Sequence, residues 1–150
     1  MSIFNSLNIS ASALTAERQR SEVAASNLAN ADTTRVNGGS GPYRRREVTL
    51  QSTGGNAQFR SMLTHGSETR AGTAGGVRLT QVTEAKGDPI RKYDPGHADA
   101  DKDGYVAYPA VNPTQEMVDL MGSVRAYQMN ASALTASKQM IQQSIDILKS

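Results

Sequence analysis

The densest group of potential ligands in this 150-residue chain is Asp99-Ala100-Asp101-Lys102-Asp103-Gly104, which reproduces the opening of an EF-hand calcium loop. In such loops alternating carboxylates supply oxygen ligands and glycine makes the sharp turn. The twelfth loop position requires a bidentate Glu, yet it is Ala110 here, preceded by Pro109, and Pro95-Gly96 stands where an entering helix should end. A Lys102-Asp103-Gly104 turn joining two extended segments is the default reading, and a calcium module survives only if these carboxylates bind metal. Catalytic material is scarce. The two histidines, His65 and His97, fall in a Gly-rich stretch and a turn, without partner spacing. Helical Ser and Thr residues lack a His or Lys pattern that would activate them, and no Gly-rich phosphate loop with a following Lys occurs. The expectation is no enzyme, no cofactor, no metal and no small-molecule substrate.

Charge gives the same answer for polyanions. The net charge is +2; residues 1–40 and 113–150 each carry three positive and three negative side chains, and residues 41–112 carry ten and eight. The one local excess, Arg44-Arg45-Arg46, runs directly into Glu47, as a solvated strand face would, so no nucleic-acid partner is expected. Only 37% of residues are hydrophobic and 5% aromatic, with no Trp and two Phe. That is thin material for a large core, but burial across a subunit interface stabilises as burial within a core does. The composition leans toward an assembly component. No cysteine is present, excluding disulfides and Cys-based metal or redox sites. The N-terminal stretch has no basic n-region or continuous apolar h-region, and no apolar run is long enough to span a bilayer, so neither a cleaved signal nor membrane insertion is expected.

The elements that must position these residues fall into three parts: residues 1–34, 35–111 and 112–150. A helix is predicted from about Asn5 to Asn30, with a seam of alternating three- and four-residue steps through Phe4, Leu7, Ala11, Leu14, Arg18, Ser21, Ala25 and Leu28. Asn30-Ala31-Asp32-Thr33-Thr34 ends it with turn chemistry. The C-terminal helix repeats the spacing through Met117, Leu120, Val124, Tyr127, Ala131, Leu134, Lys138, Ile141, Ile145 and Leu148. Its start is marked by Asn112-Pro113-Thr114-Gln115, a cap, a first-turn proline and a possible capping box. Both helices lack the Lys/Arg-flanked aromatic face of a membrane-surface helix, and a seam against other helices fits better.

Ala11-Ser12-Ala13-Leu14-Thr15-Ala16 recurs as Ala131-Ser132-Ala133-Leu134-Thr135-Ala136, followed in each case by a basic residue and Gln at equal offsets. Either two alanine-rich helices coincide, or both serve the same kind of packed environment. The fold class expected is mainly α, an antiparallel coiled-coil-like hairpin of the terminal helices, in which Leu14 would lie close to Leu134. Between them sits a small β-rich irregular insert. Period-two alternation predicts strands over Tyr43–Gln51, Val77–Glu84 and Tyr105–Tyr108, separated by a Gly/Ser/Thr-rich connection over Ser52–Gly76 and turns at Asp88-Pro89 and Asp94-Pro95-Gly96.

Ser26-Asn27-Leu28-Ala29-Asn30-Ala31-Asp32-Thr33 resembles the Asn-x-x-Asn signature closing the N-terminal helix of flagellar axial proteins. Tyr93-Asp94-Pro95-Gly96-His97, Gly104-Tyr105-Val106-x-Tyr108-Pro109, Val111-Asn112-Pro113, Glu116-Met117 and Arg125-Ala126-Tyr127-Gln128-x-Asn130 resemble the proximal rod branch of the flagellar basal-body rod proteins. Ala98 departs from the Pro common in that family after the His, and Ser52–Gly76 carries no family signal. The resemblance implies a structural subunit of the basal-body rod in the periplasmic space. It would be exported by the flagellar type III apparatus without a cleaved signal peptide. Copies of itself and other rod subunits would be its partners, bound through the terminal helices into a drive shaft and export-channel wall. Another flagellar axial or secreted coiled-coil adapter at a junction is the alternative.

Overall fold

The computed structural model describes residues 3–36, 39, 41–53 and 75–149 and, within the terminal helices, side chains from Asn5 to Ile147. Most of the Ser52–Gly76 connection, including His65, lies outside the described residues, as do the seam side chains Phe4 and Leu148.

Helix α1 spans Ile3–Ala29 and α2 spans Pro113–Lys149, 27 and 37 residues, so that roughly half of the chain is helical. At 1.5 Å per residue α2 is about 55 Å long. The end of α1 is built by Asn30. Its backbone N–H and its side-chain Nδ2 both donate to the Ser26 carbonyl, at 3.1 and 2.8 Å, and its Oδ1 accepts the Thr33 hydroxyl at 3.2 Å. A carbonyl oxygen has two lone pairs, and the side-chain amide folded back onto this one adds a second donor beside the backbone N–H. The start of α2 follows its sequence: Asn112 Oδ1 accepts the amides of Thr114 (3.0 Å) and Gln115 (3.4 Å), and the Asn112 carbonyl accepts the Glu116 amide at 3.1 Å. Pro113 takes the first helical position, where a missing N–H costs nothing.

Among the described residues four strands follow α1. β1 (Arg46–Ser52) pairs with β2 (Val77–Glu84), and β3 (Ile90–Tyr93) pairs antiparallel with β4 (Tyr105–Tyr108), Ile90 opposite Tyr108 and Tyr93 opposite Tyr105. β3 had no sequence signal: its four residues are all exposed, so it lacks the half-buried alternation that marks a strand. Its partner β4 has one side chain sealed from solvent, Val106. The Asp-rich stretch closes this hairpin. Asp101 Oδ1 accepts the amides of Tyr105 (2.8 Å) and Asp103 (3.0 Å), Gly104 N–H donates to the Asp101 carbonyl (3.0 Å), and Asp94 N–H donates to the Gly104 carbonyl (2.9 Å). Gly104 has φ +78° and a Cβ there would lie 2.9 Å from the Tyr93 ring, so glycine is needed on both counts.

The chain divides into two compact units, one drawing on Met1–Gln19, Leu50–Thr80 and Ser123–Ser150, the other on Arg20–Thr49 and Gln81–Gly122. In the first, Ala16 is buried and the Ser12 hydroxyl accepts the Val77 amide at 3.1 Å. In the second, Ala31, Tyr43 and Val111 form a small buried cluster. Buried side chains are mostly small, as the composition anticipates.

Candidate functional site

The second unit is organised around Asn27, which stands on α1 with 1% of its surface exposed. Its Nδ2 donates to the Arg46 carbonyl (2.8 Å) and to Glu116 Oε2 (3.0 Å); its Oδ1 accepts the Arg46 amide (2.8 Å) and the Tyr43 hydroxyl (2.9 Å). All four hydrogen-bonding positions of the amide are filled. The two bonds to Arg46 imitate a strand neighbour at the first residue of β1. Glu116, 2% exposed in the first turn of α2, accepts Arg45 Nε on its other oxygen at 2.6 Å, and Arg45 reaches Glu47 at 2.7 Å. The Glu116 hydrogen bond is the main cause that pushes the Arg45 guanidinium pKa above its ordinary value, with burial opposing it and the charges of Glu116, Glu47 and Asp119 adding to it. One buried amide thus ties α1, the entry to β1 and the start of α2 together. Beside it lies an open cavity of about 270 Å³, lined by Val23, Ala24 and Val48 and by charges of both signs, including Arg20 3.8 Å from Asp119.

A second junction holds the hairpin loop. Asp99 accepts the Thr34 hydroxyl (2.7 Å) and pairs with Arg35 (2.6 Å), both just beyond α1, while its amide donates to His97 Nδ1 (3.1 Å). Asp101 pairs with Arg91 at 2.6 Å. The amide of Tyr105, opposed by desolvation and supported by the Asp103 amide and Arg91, holds the Asp101 carboxyl below the usual aspartate value. Asp99 and Asp101 therefore face separate protein partners. The family-like residues Tyr93, Asp94, Pro95, Gly96, Gly104, Tyr105, Val106, Tyr108 and Pro109 all belong to this hairpin, where the Tyr93 and Tyr105 rings meet edge to face at 5.4 Å.

Two stretches of the chain, holding Asn27, Thr34 and Arg35 in one case and Glu116 in the other, match known families. Residues 7–35 match the family described as flagella basal body rod protein, and residues 102–147 match flagellar basal body rod FlgEFG protein C-terminal. The chain is 46% identical to the flagellar basal-body rod protein FlgC of Bacillus subtilis, over 99% of this chain and 100% of the relative. It is 35% identical to that of Borreliella burgdorferi over 99% of both, and 38% identical to that of Escherichia coli O157:H7 over 98% of both.

The chain belongs to the flagellar basal-body rod protein family. It is FlgC-like and a structural rod subunit.

The structure sorts the seam residues of the two terminal helices. Leu7, Leu14 and Leu28 on α1 and Leu120, Leu134 and Ile141 on α2 are half-buried, whereas Met117, Val124, Tyr127 and Ile145 are exposed. Asn130 repeats the Asn30 device, donating to the Ala126 carbonyl at 2.9 Å, and Arg125 is exposed. The most buried stripe of α1 is Ala16, Ala24, Asn27 and, just past its end, Ala31, one step round from the heptad seam, on which Ala25 and Arg18 are exposed. Sequence reasoning missed Arg45 and Tyr43. The arginine triplet does not present one solvated face: Arg44 and Arg46 are exposed, while Arg45 turns to Glu116. An isolated Glu at the first turn of an otherwise sparsely charged helix was the available signal.

Proposed function

We propose that this chain is a non-enzymatic subunit of the proximal rod, which polymerises with copies of itself and other rod subunits through its terminal helices to form the drive shaft and the wall of the export channel. It reaches the periplasmic space through the flagellar export apparatus. The observation that carries this reading is the apolar surface of α2: Met117, Met121, Val124 and Tyr127 are all exposed on one helix of a small chain. Contiguous exposed apolar surface of this kind marks an interaction site. The terminal segments, 1–34 and 112–150, form an inner layer as an antiparallel coiled-coil-like hairpin, with Leu14 close to Leu134, and the 35–111 insert meets neighbouring subunits. Contacts are heterologous, so that the assembly continues along an axis rather than closing on itself.

Leu134→Asp or Ile141→Asp is expected to abolish rod assembly and swimming with expression unchanged; full motility of either variant would refute the reading. Cysteines introduced at positions 14 and 134 are expected to cross-link, within a chain or between neighbours, in assembled rods.

A further inference from the structure

One face of the duplicated hexapeptide, Ser12/Ala13/Ala16, is occupied in α1, and its counterpart Ser132/Ala133/Ala136 is bare in α2. In α1 the Ser12 hydroxyl donates to the Ile9 carbonyl (2.7 Å) and accepts the Val77 amide (3.1 Å). The backbone of Gly76 comes so close that a Cβ on it would stand 2.8 Å from Ser12 Oγ, and Ala16, one turn on, is 2% exposed. The first copy is thus a small-residue shelf, with one hydroxyl acceptor, for an extended backbone entering β2 through glycine. In α2 the second copy has the same residues, and Ser132 Oγ donates to the Gln128 carbonyl at 3.0 Å, four residues back where Ser12 reaches three. Yet Ser132, Ala133 and Ala136 are exposed, and among the described residues no backbone amide donates to Ser132. Met129 and Met140, 67% and 54% exposed, flank the shelf at helical spacing.

We propose that the Ser132/Ala133/Ala136 shelf of α2 receives an extended, glycine-containing backbone segment from a neighbouring rod subunit, whose N–H following the glycine donates to Ser132 as Val77 does to Ser12. The occupant is defined by chemistry already present in the same chain. Small side chains let a main chain approach within contact distance, the hydroxyl satisfies an amide that would otherwise be buried without a partner, and the two methionines can adapt around it. This face is distinct from the Leu134 seam, and the inference rests on the rod reading.

The test places a photo-cross-linking phenylalanine analogue at position 129, in place of the methionine flanking the shelf, of the full-length protein in swimming cells, with mass-spectrometric mapping of products from isolated basal bodies. The expected product joins position 129 to a non-helical, Gly-containing segment of another subunit. Ala136→Leu should abolish that product and reduce swimming at least several-fold, and Ser132→Ala should weaken it while Ser132→Thr restores it. A product confined to helical segments, no product in assembled rods, or full motility with Ala136→Leu would overturn the inference. If Leu134→Asp still abolishes assembly in that case, the rod reading stands and only the shelf is lost.

Discussion

Asn27→Ala removes a side chain whose four hydrogen bonds lie in the least exposed part of the second unit. It leaves the Arg46 amide and carbonyl, the Tyr43 hydroxyl and one Glu116 oxygen without that partner. A buried polar group left unsatisfied costs about 1–3 kcal/mol. The four do not add in full: Arg46 is an exposed residue, the adjoining cavity of about 270 Å³ can admit water, and Tyr43 keeps Ser26 at 3.4 Å. Counting about two groups as lost gives a destabilisation of ~2–6 kcal/mol. With a urea slope of about 2 kcal/mol per molar, the midpoint followed by far-UV circular dichroism should fall by roughly 1–3 M. Asn27→Asp keeps the acceptor for Arg46 and Tyr43 but sets a second carboxylate against Glu116, where the wild-type amide sits at 3.0 Å. It should be at least as damaging at neutral pH and recover toward wild type as acid protonates one member of the pair. A destabilisation below about 0.5 kcal/mol for Asn27→Ala, or an Asn27→Asp penalty that does not change with pH, would refute the clamp as a stabilising centre.

Gly104→Ala must place a side chain at φ +78° and against the Tyr93 ring, so a loss of about 1–2 kcal/mol or more and weaker amide protection across β3 and β4 are expected in hydrogen exchange. Asn112→Ala removes the cap of α2 and should cost about 1 kcal/mol, with Asn112→Asp or Asn112→Ser retaining most of the stability. Because Asp101 has its carboxyl pKa lowered in the folded chain, its contribution is present above the unfolded aspartate value, about 3.9, and is lost as pH falls through the lower folded value. Hairpin amide protection should therefore decline in wild type below about pH 4, and Asp101→Asn should be weaker at neutral pH but lack that component of the acid dependence.

What the sequence determined by itself is local. Periodicity located both helices, Asn112-Pro113 marked the start of α2, and the turn glycine Gly104 and the strands β2 and β4 could be read from residues adjacent in the chain. The family motifs carried the functional class; Asn27–Asn30 and Gly104–Asn130 fall within the segments matching rod proteins, and Tyr93–His97 falls outside them. The EF-hand-like aspartates could be set aside from spacing, but their actual work, closing a hairpin and holding the turn beyond α1, involves Thr34 and Arg35 some 65 positions away. Tertiary structure alone decided what Asn27 does. Its partners at positions 43, 46 and 116 share no spacing with it, and an amide can cap a helix, sit in solvent or pair with a strand with equal local plausibility. The same holds for the echoed hexapeptides. Ser12, Ala13 and Ala16 are covered in α1 while Ser132, Ala133 and Ala136 are exposed in α2, because burial depends on which backbone arrives from elsewhere in the chain, and a helix records only its own face.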